Sequence, residues 1–218
     1  MTSYAQSERQ AVADLLLEIG PSAPTLCEGW TAADLAAHLV IRESRPDAAL
    51  GIVFHPIARW TERVQTSLRD RVPFTTLAER VRKGPPVWSP TRIGPVDNLA
   101  NTIEFFVHHE DLRRGSLPQA PRDLEPEFEA LLWHRLRSSA KLMFRQCPVG
   151  VTLVHTSQDK SAPRETVVAK HANPQMVTVA GSAGELVLFA SGRTEAAEVE
   201  LTGDDSSVNR LRGAKLGI

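Results

Sequence analysis

A chain of 218 residues, 42% hydrophobic and 23% charged, is long enough to bury a proper core as one large domain or two smaller ones. The formal net charge of −1 and the absence of any Lys/Arg run give no electrostatic reason to expect nucleic acid or an anionic membrane as partner. Two cysteines far apart, Cys27 and Cys147, argue against a disulfide framework and for a reducing, cytoplasmic setting. The opening residues lack the apolar core of a signal peptide, and no stretch approaches the roughly 18 apolar residues of a bilayer span.

In chain order, Val12, Leu15, Leu16 and Ile19 follow the i, i+3, i+4, i+7 spacing of one helical stripe, which Gly20-Pro21 stops. Thr31 opens a second helix: its hydroxyl can cap, Asp34 stands at the N3 position, and Trp30 before the cap can staple onto Leu35. Ile57, Trp60, Val64 and Leu68 mark a third helix, closed by Val72-Pro73. The stretch 83–95, rich in proline and glycine, reads as a long loop. A fourth helix runs from about Asp97 to Arg114 and is ended by Gly115, with Arg113 and Arg114 facing the negative end of its dipole. A fifth, from about Pro126 to Arg145, carries Phe128, Leu131, Leu132 and Leu136 on one side. Short loops between amphipathic helices predict an up-and-down bundle.

Near Cys147-Pro148 the period changes. Val151, Leu153 and His155 alternate with Thr152, Val154 and Thr156, which is strand spacing. Thr166–Lys170 and Met176–Ala180 predict further strands. Ser182 and Glu185 form a capping-box signature for a helix that runs through Leu186 and Phe189 to Gly192. Ala197–Thr202 returns to strand, and Ser206–Arg212 predicts a short closing helix. The expectation is α+β: a helical bundle over 1–147 and a small α+β domain over 148–218.

The chemistry concentrates on the fourth helix. At about 100° per residue, Asp97, Asn101, Glu104, His108 and Asp111 fall within one arc of roughly 80°, while Leu99, Ile103, Phe105, Phe106, Val107 and Leu112 cover most of the rest. An all-round apolar helix is a buried one, so its carboxylates and imidazoles need partners. Glu104 and His108, one turn apart, can reach a single cation together. A third ligand is expected from a facing helix, and His38 shares an inward face with Leu35 and Leu39. A lone histidine among leucines is usually a hydrogen-bonded core residue, and i, i+4 Glu–His pairs are common on helix surfaces. The combination on two apolar faces points instead to a divalent metal, zinc first, held by His38, Glu104 and His108 with open positions left over. Asp111, one turn beyond His108, is placed to orient a ligating imidazole. His109 points away, to the surface or between helices. His55, His134 and His171 have no supporting context, His155 is expected in core packing, and Cys27 is expected to be a small idle or buried thiol.

Three segments carry a family likeness: Gly29-Trp30-Thr31-Ala32-Ala33-Asp34-Leu35-Ala36-Ala37-His38-Leu39, Glu104-Phe-Phe-Val-His108, and His108-His-Glu-Asp111. With them the sequence resembles the mycothiol-dependent maleylpyruvate isomerase family, within the DinB-like metal-binding bundle superfamily. The resemblance implies a DinB-like bundle followed by a small sterol-carrier-like α+β domain, with the two histidines and the glutamate as metal ligands. It implies zinc, or another divalent metal, and mycothiol as cosubstrate. It also implies a zinc-bound thiol that attacks a small electrophile, giving isomerisation if the thiol leaves and S-transfer if it stays. The family's isomerases also use a C-terminal arginine, for which Arg193 and Arg210 are the candidates here. The competing reading is a metal-bound ligand carrier or sensor without turnover.

Overall fold

The structure is a computed structural model that describes residues 3–44, 58–87, 89, 94–115, 119–157, 164–172 and 174–217. Ile57, His55 and part of the expected loop over 83–95 lie outside the described residues. The architecture is α+β, and the chain divides into two compact units, Met1–Gln119 and Ala120–Ile218.

The first unit is helical among its described residues. Helix α1 (Tyr4–Ile19) starts where the Ser3 hydroxyl accepts from the Gln6 N–H, and it ends at Gly20, which adopts φ +81°, a left-handed value that favours glycine. Helix α2 (Ala32–Ser44) opens with the expected reciprocal cap. The Asp34 N–H donates to Thr31 Oγ1 at 3.4 Å, and the Thr31 N–H donates back to Asp34 Oδ2 at 3.0 Å. Helix α3 (Ala58–Arg71) ends at the expected Val72-Pro73. A helix missing from the chain-order reading, α4 (Phe74–Lys83), follows at once. Its buried Leu77, Ala78 and Val81 carry helical spacing that the proline before it obscured.

Helix α5 (Gly94–Arg113) begins three residues before the expected Asp97. Pro95 does not block it, because a first-turn residue has no intrahelical N–H bond to lose. Helices α1, α2 and α4 pack around one another, and α5 packs along α1. The shared core includes Val12, Leu16, Leu35, Leu39, Leu77 and Phe105, all buried. At the end of α5, a Cβ on Gly115 would overlap the backbone of Pro24 and Thr25. This close approach brings the loop after α1 against the helix, where the Leu26 N–H donates to the Asp111 carbonyl at 3.1 Å.

The second unit contains α6 (Pro126–Met143) together with a four-stranded sheet of order β2-β1-β3-β4. Strand β1 (Gly150–His155) pairs antiparallel with β2 (Glu165–Lys170) and parallel with β3 (Met176–Gly181), and β4 (Glu200–Thr202) closes the other edge antiparallel to β3. The last strand is shorter than the expected Ala197–Thr202. Helix α7 (Ala183–Ala190) is capped by Ser182 as expected and is buried along its whole length, and α8 (Asp205–Arg212) closes the chain. The periodicity change at Cys147-Pro148 therefore lies inside this unit, because the preceding helix α6 packs on β2 and α7. His155 lies at 3.2 Å from Glu129 Oε1 and stacks on Trp133, the core role expected of it. Among the described residues, no helix is long and apolar enough to cross a membrane.

Candidate metal centre

The polar arc of α5 enters two different environments. Its first half is satisfied by arginines. Asp97 accepts two hydrogen bonds from Arg9 of α1, at 2.7 and 3.1 Å, and the same guanidinium pairs with Glu43 of α2 at 2.6 Å. Asn101 donates to Asp97 at 2.7 Å and accepts from Arg42 Nη1. Arg9 also lies over the Phe105 ring, 4.6 Å from its centroid. Asp97 and Asn101 therefore have protein partners and require no ion.

The second half gathers imidazoles and carboxylates. Glu104 Oε1 lies 3.2 Å from His108 Nε2 and 3.5 Å from His38 Nε2, while the two imidazole rings meet edge-on at 5.3 Å. Helix α5 supplies Glu104 and His108 one turn apart. Helix α2 supplies His38 from the face that buries Leu35 and Leu39. The ligand atoms of all three lie within 4.8 Å of one another. A tetrahedral ion with bonds of about 2.0–2.1 Å places its ligand atoms roughly 3.3–3.5 Å apart, so the observed 3.2 and 3.5 Å spacings fit one small divalent cation. The histidine side chains are 8% and 9% exposed and Glu104 27%, which marks the carboxylate as the open side.

On its other edge, His108 Nδ1 lies 2.9 Å from Asp111 Oδ2, and the Cys27 thiol donates to the same oxygen at 3.2 Å. A buried carboxylate on Nδ1 fixes that nitrogen as the N–H and leaves Nε2 as the lone-pair donor toward Glu104 and His38. Cys27, His108 and Asp111 form a second potential donor group on the Nδ1 side, whereas His38 and Glu104 face Nε2, so a neutral His108, with a single lone pair, serves one group at a time.

The charges follow from these contacts. Burial pulls the His108 pKa down, yet the hydrogen bonds to Asp111, Cys27 and Glu104 outweigh it and hold the group well above the ordinary imidazole value. Burial pushes Glu104 up, but hydrogen bonds to His108 and His38 and the charges of His108 and Arg42 hold it well below the ordinary carboxylate range. His38 is lowered, mainly by burial, which keeps it neutral and able to donate its lone pair.

The three sequence-derived ligands thus come together, with Asp111 behind His108. Arg193 and Arg210 lie in the second unit and hydrogen-bond locally, Arg193 to the Ser191 carbonyl at 2.7 Å, Arg210 to Gln175 at 3.0 Å and the Pro148 carbonyl at 3.1 Å. His109 lies between helices, its Nδ1 2.9 Å from Glu8 of α1. Two neighbours go beyond the sequence reading. Arg42, one turn after His38, reaches Glu104 Oε1 at 3.1 Å, and its i+4 spacing was the available signal. Trp30, expected only as a staple, also places its ring 5.0 Å from His38. Cys27, expected to be idle, holds Asp111.

Beside His38 a cavity of about 480 Å³ opens between α2 and α3, lined by Trp30, Thr61, Glu62, Gln65 and Arg69 among others. Residues 5–87 match the family described as the mycothiol maleylpyruvate isomerase N-terminal domain. The matched span includes His38 and ends before Glu104 and His108. No curated protein and no solved structure matches the chain.

Proposed function

We propose, from the premise that residues 5–87 belong to the mycothiol maleylpyruvate isomerase N-terminal domain family, that this chain is a thiol-dependent S-transferase or isomerase. His38, Glu104 and His108 would hold one divalent metal, zinc by the chemistry of two imidazoles and a carboxylate. The observation that carries this reading is the convergence of His108 Nε2 and His38 Nε2 on Glu104 Oε1, at 3.2 and 3.5 Å. When bound, the ion supplies Lewis acidity that lowers the pKa of a small thiol toward neutrality.

The protein's own groups do the positioning. Asp111 holds the His108 tautomer, with Cys27 fixing Asp111 in turn. Glu104 balances the positive charge, and its partial exposure leaves access from one side. The cavity beside His38 offers hydroxyl, amide, carboxylate and guanidinium groups to a polar thiol such as mycothiol, while the Trp30 ring provides an apolar wall. No glutamate stands beside the ligands in the HExxH arrangement that activates water, which favours thiol over hydrolytic chemistry. Arg193 and Arg210 are the proposed C-terminal arginines for substrate, to be separated by single alanine variants.

The test is metal analysis of the purified protein, calorimetry with several small thiols, then turnover of an electrophile such as maleylpyruvate. Conjugation or isomerisation is expected only with thiol and zinc together, and His108→Ala loses both. Ester or amide turnover without any thiol would overturn the proposal.

A further inference from the structure

A second cavity, of about 510 Å³, lies between α2, α3 and α4 and includes none of the three proposed metal ligands. Its wall is apolar: Val40 and Ile41 from α2, Trp60, Val64 and Leu68 from α3, and Val72 beyond it. The i, i+4, i+8 spacing of Trp60, Val64 and Leu68 lays them along one side of α3. Trp60 is 41% exposed despite its size. Volumes of about 300–1,000 Å³ with mostly apolar walls and a few polar groups are those of small-molecule sites.

The polar groups here are three guanidiniums and two serines. Arg63 and Arg71 come from α3 and Arg80 from α4, and among the described residues no Asp or Glu lines the cavity. Among the described residues, none of these three side chains has a carboxylate partner. Of the acidic side chains nearest them in sequence, Asp70 pairs with Arg69 at 2.8 Å, Glu79 pairs with Arg82 at 3.3 Å, and Glu62 lines the other cavity. An apolar chamber with three uncompensated forked cations is complementary to one kind of molecule, an apolar body carrying an anionic group.

We propose that the cavity between α2, α3 and α4 binds a small anionic amphiphile, an aliphatic or aryl carboxylate, with its apolar part against Trp60, Val64 and Leu68 and its anion at Arg63, Arg71 and Arg80. This site is separate from the proposed metal centre and does not depend on it.

Titration calorimetry on the full chain with decanoate tests the proposal, with decyltrimethylammonium and inorganic phosphate as comparison probes. Decanoate binds saturably, one per chain, while the cation and the headgroup-only anion bind at least about tenfold more weakly. Each exposed guanidinium–anion contact accounts for about 1.4-fold to fivefold, so the triple variant Arg63→Glu/Arg71→Glu/Arg80→Glu loses about threefold to a hundredfold. Trp60→Ala, a change at a partly exposed position, weakens decanoate and leaves the circular dichroism spectrum unchanged. Binding persists with chelator present, since none of the described lining residues is a His, Cys, Asp or Glu. No saturable binding of decanoate, equal affinity in the triple variant, or loss of binding on chelation would each overturn it.

Discussion

Replacing Asp111 by Asn removes one negative charge behind His108 while leaving the volume nearly unchanged. Asp111 is fully buried, and its Oδ2 receives both His108 at 2.9 Å and Cys27 at 3.2 Å. In Asp111→Asn the amide oxygen can still accept from Nδ1–H, so the tautomer survives, but the charge-assisted component is gone and the imidazole becomes a poorer donor. Removing such a carboxylate behind a ligating histidine typically lowers metal affinity about 10–100-fold, which is about 1.4–2.7 kcal/mol. Asp111→Ala goes further, because the Nδ1–H is left buried without an acceptor, adding about 1–3 kcal/mol. The predicted order of zinc affinity is wild type, then Asn, then Ala. Competition against a chromophoric chelator measures it, and urea unfolding in excess chelator separates loss of metal from loss of fold. An Asn variant that binds zinc within about threefold of wild type, or more weakly than the Ala variant, would refute the role assigned to Asp111.

Arg9→Met leaves Glu43 and Asp97 buried without their shared cation, and urea unfolding should show a loss of about 3–5 kcal/mol. Adding Glu43→Gln and Asp97→Asn to that variant should recover much of the loss, and no recovery would count against the pairing. Gly115→Ala forces a Cβ into the backbone of Pro24 and Thr25, so a destabilisation of about 1–3 kcal/mol is expected. With chelator present, the raised folded pKa of His108 gives stability that is full below the ordinary 6.5 and is lost as pH rises through the folded value. Over that window Glu104 stays ionised and His38 neutral, since their shifts run down from 4.5 and 6.5. Zinc affinity should run the other way, rising with pH and releasing a proton, because the ion requires neutral His108. Melting curves against pH with and without zinc check both signs, and parallel trends would refute the assignment.

Helix starts and stops lay within reach of the sequence because they depend on neighbours within four residues. The Thr31/Asp34 cap, the Gly20-Pro21 stop and the Ser182 cap all form as their spacing predicts. So does the Glu104/His108 pair, whose i, i+4 separation is a property of one helix. Local rules failed where a proline met a helix: Pro73 precedes α4 and Pro95 lies inside the first turn of α5, positions where proline costs no hydrogen bond. Partner choice was decided by tertiary packing alone. Arg9 reaches Asp97 across 88 positions, Cys27 reaches Asp111 across 84, and His109 reaches Glu8 across 101. Nothing near those residues in sequence marks them as partners. The pairs exist because α1 and the loop after it lie along α5, where a buried charge or donor must take whichever complement the packing brings within about 3 Å.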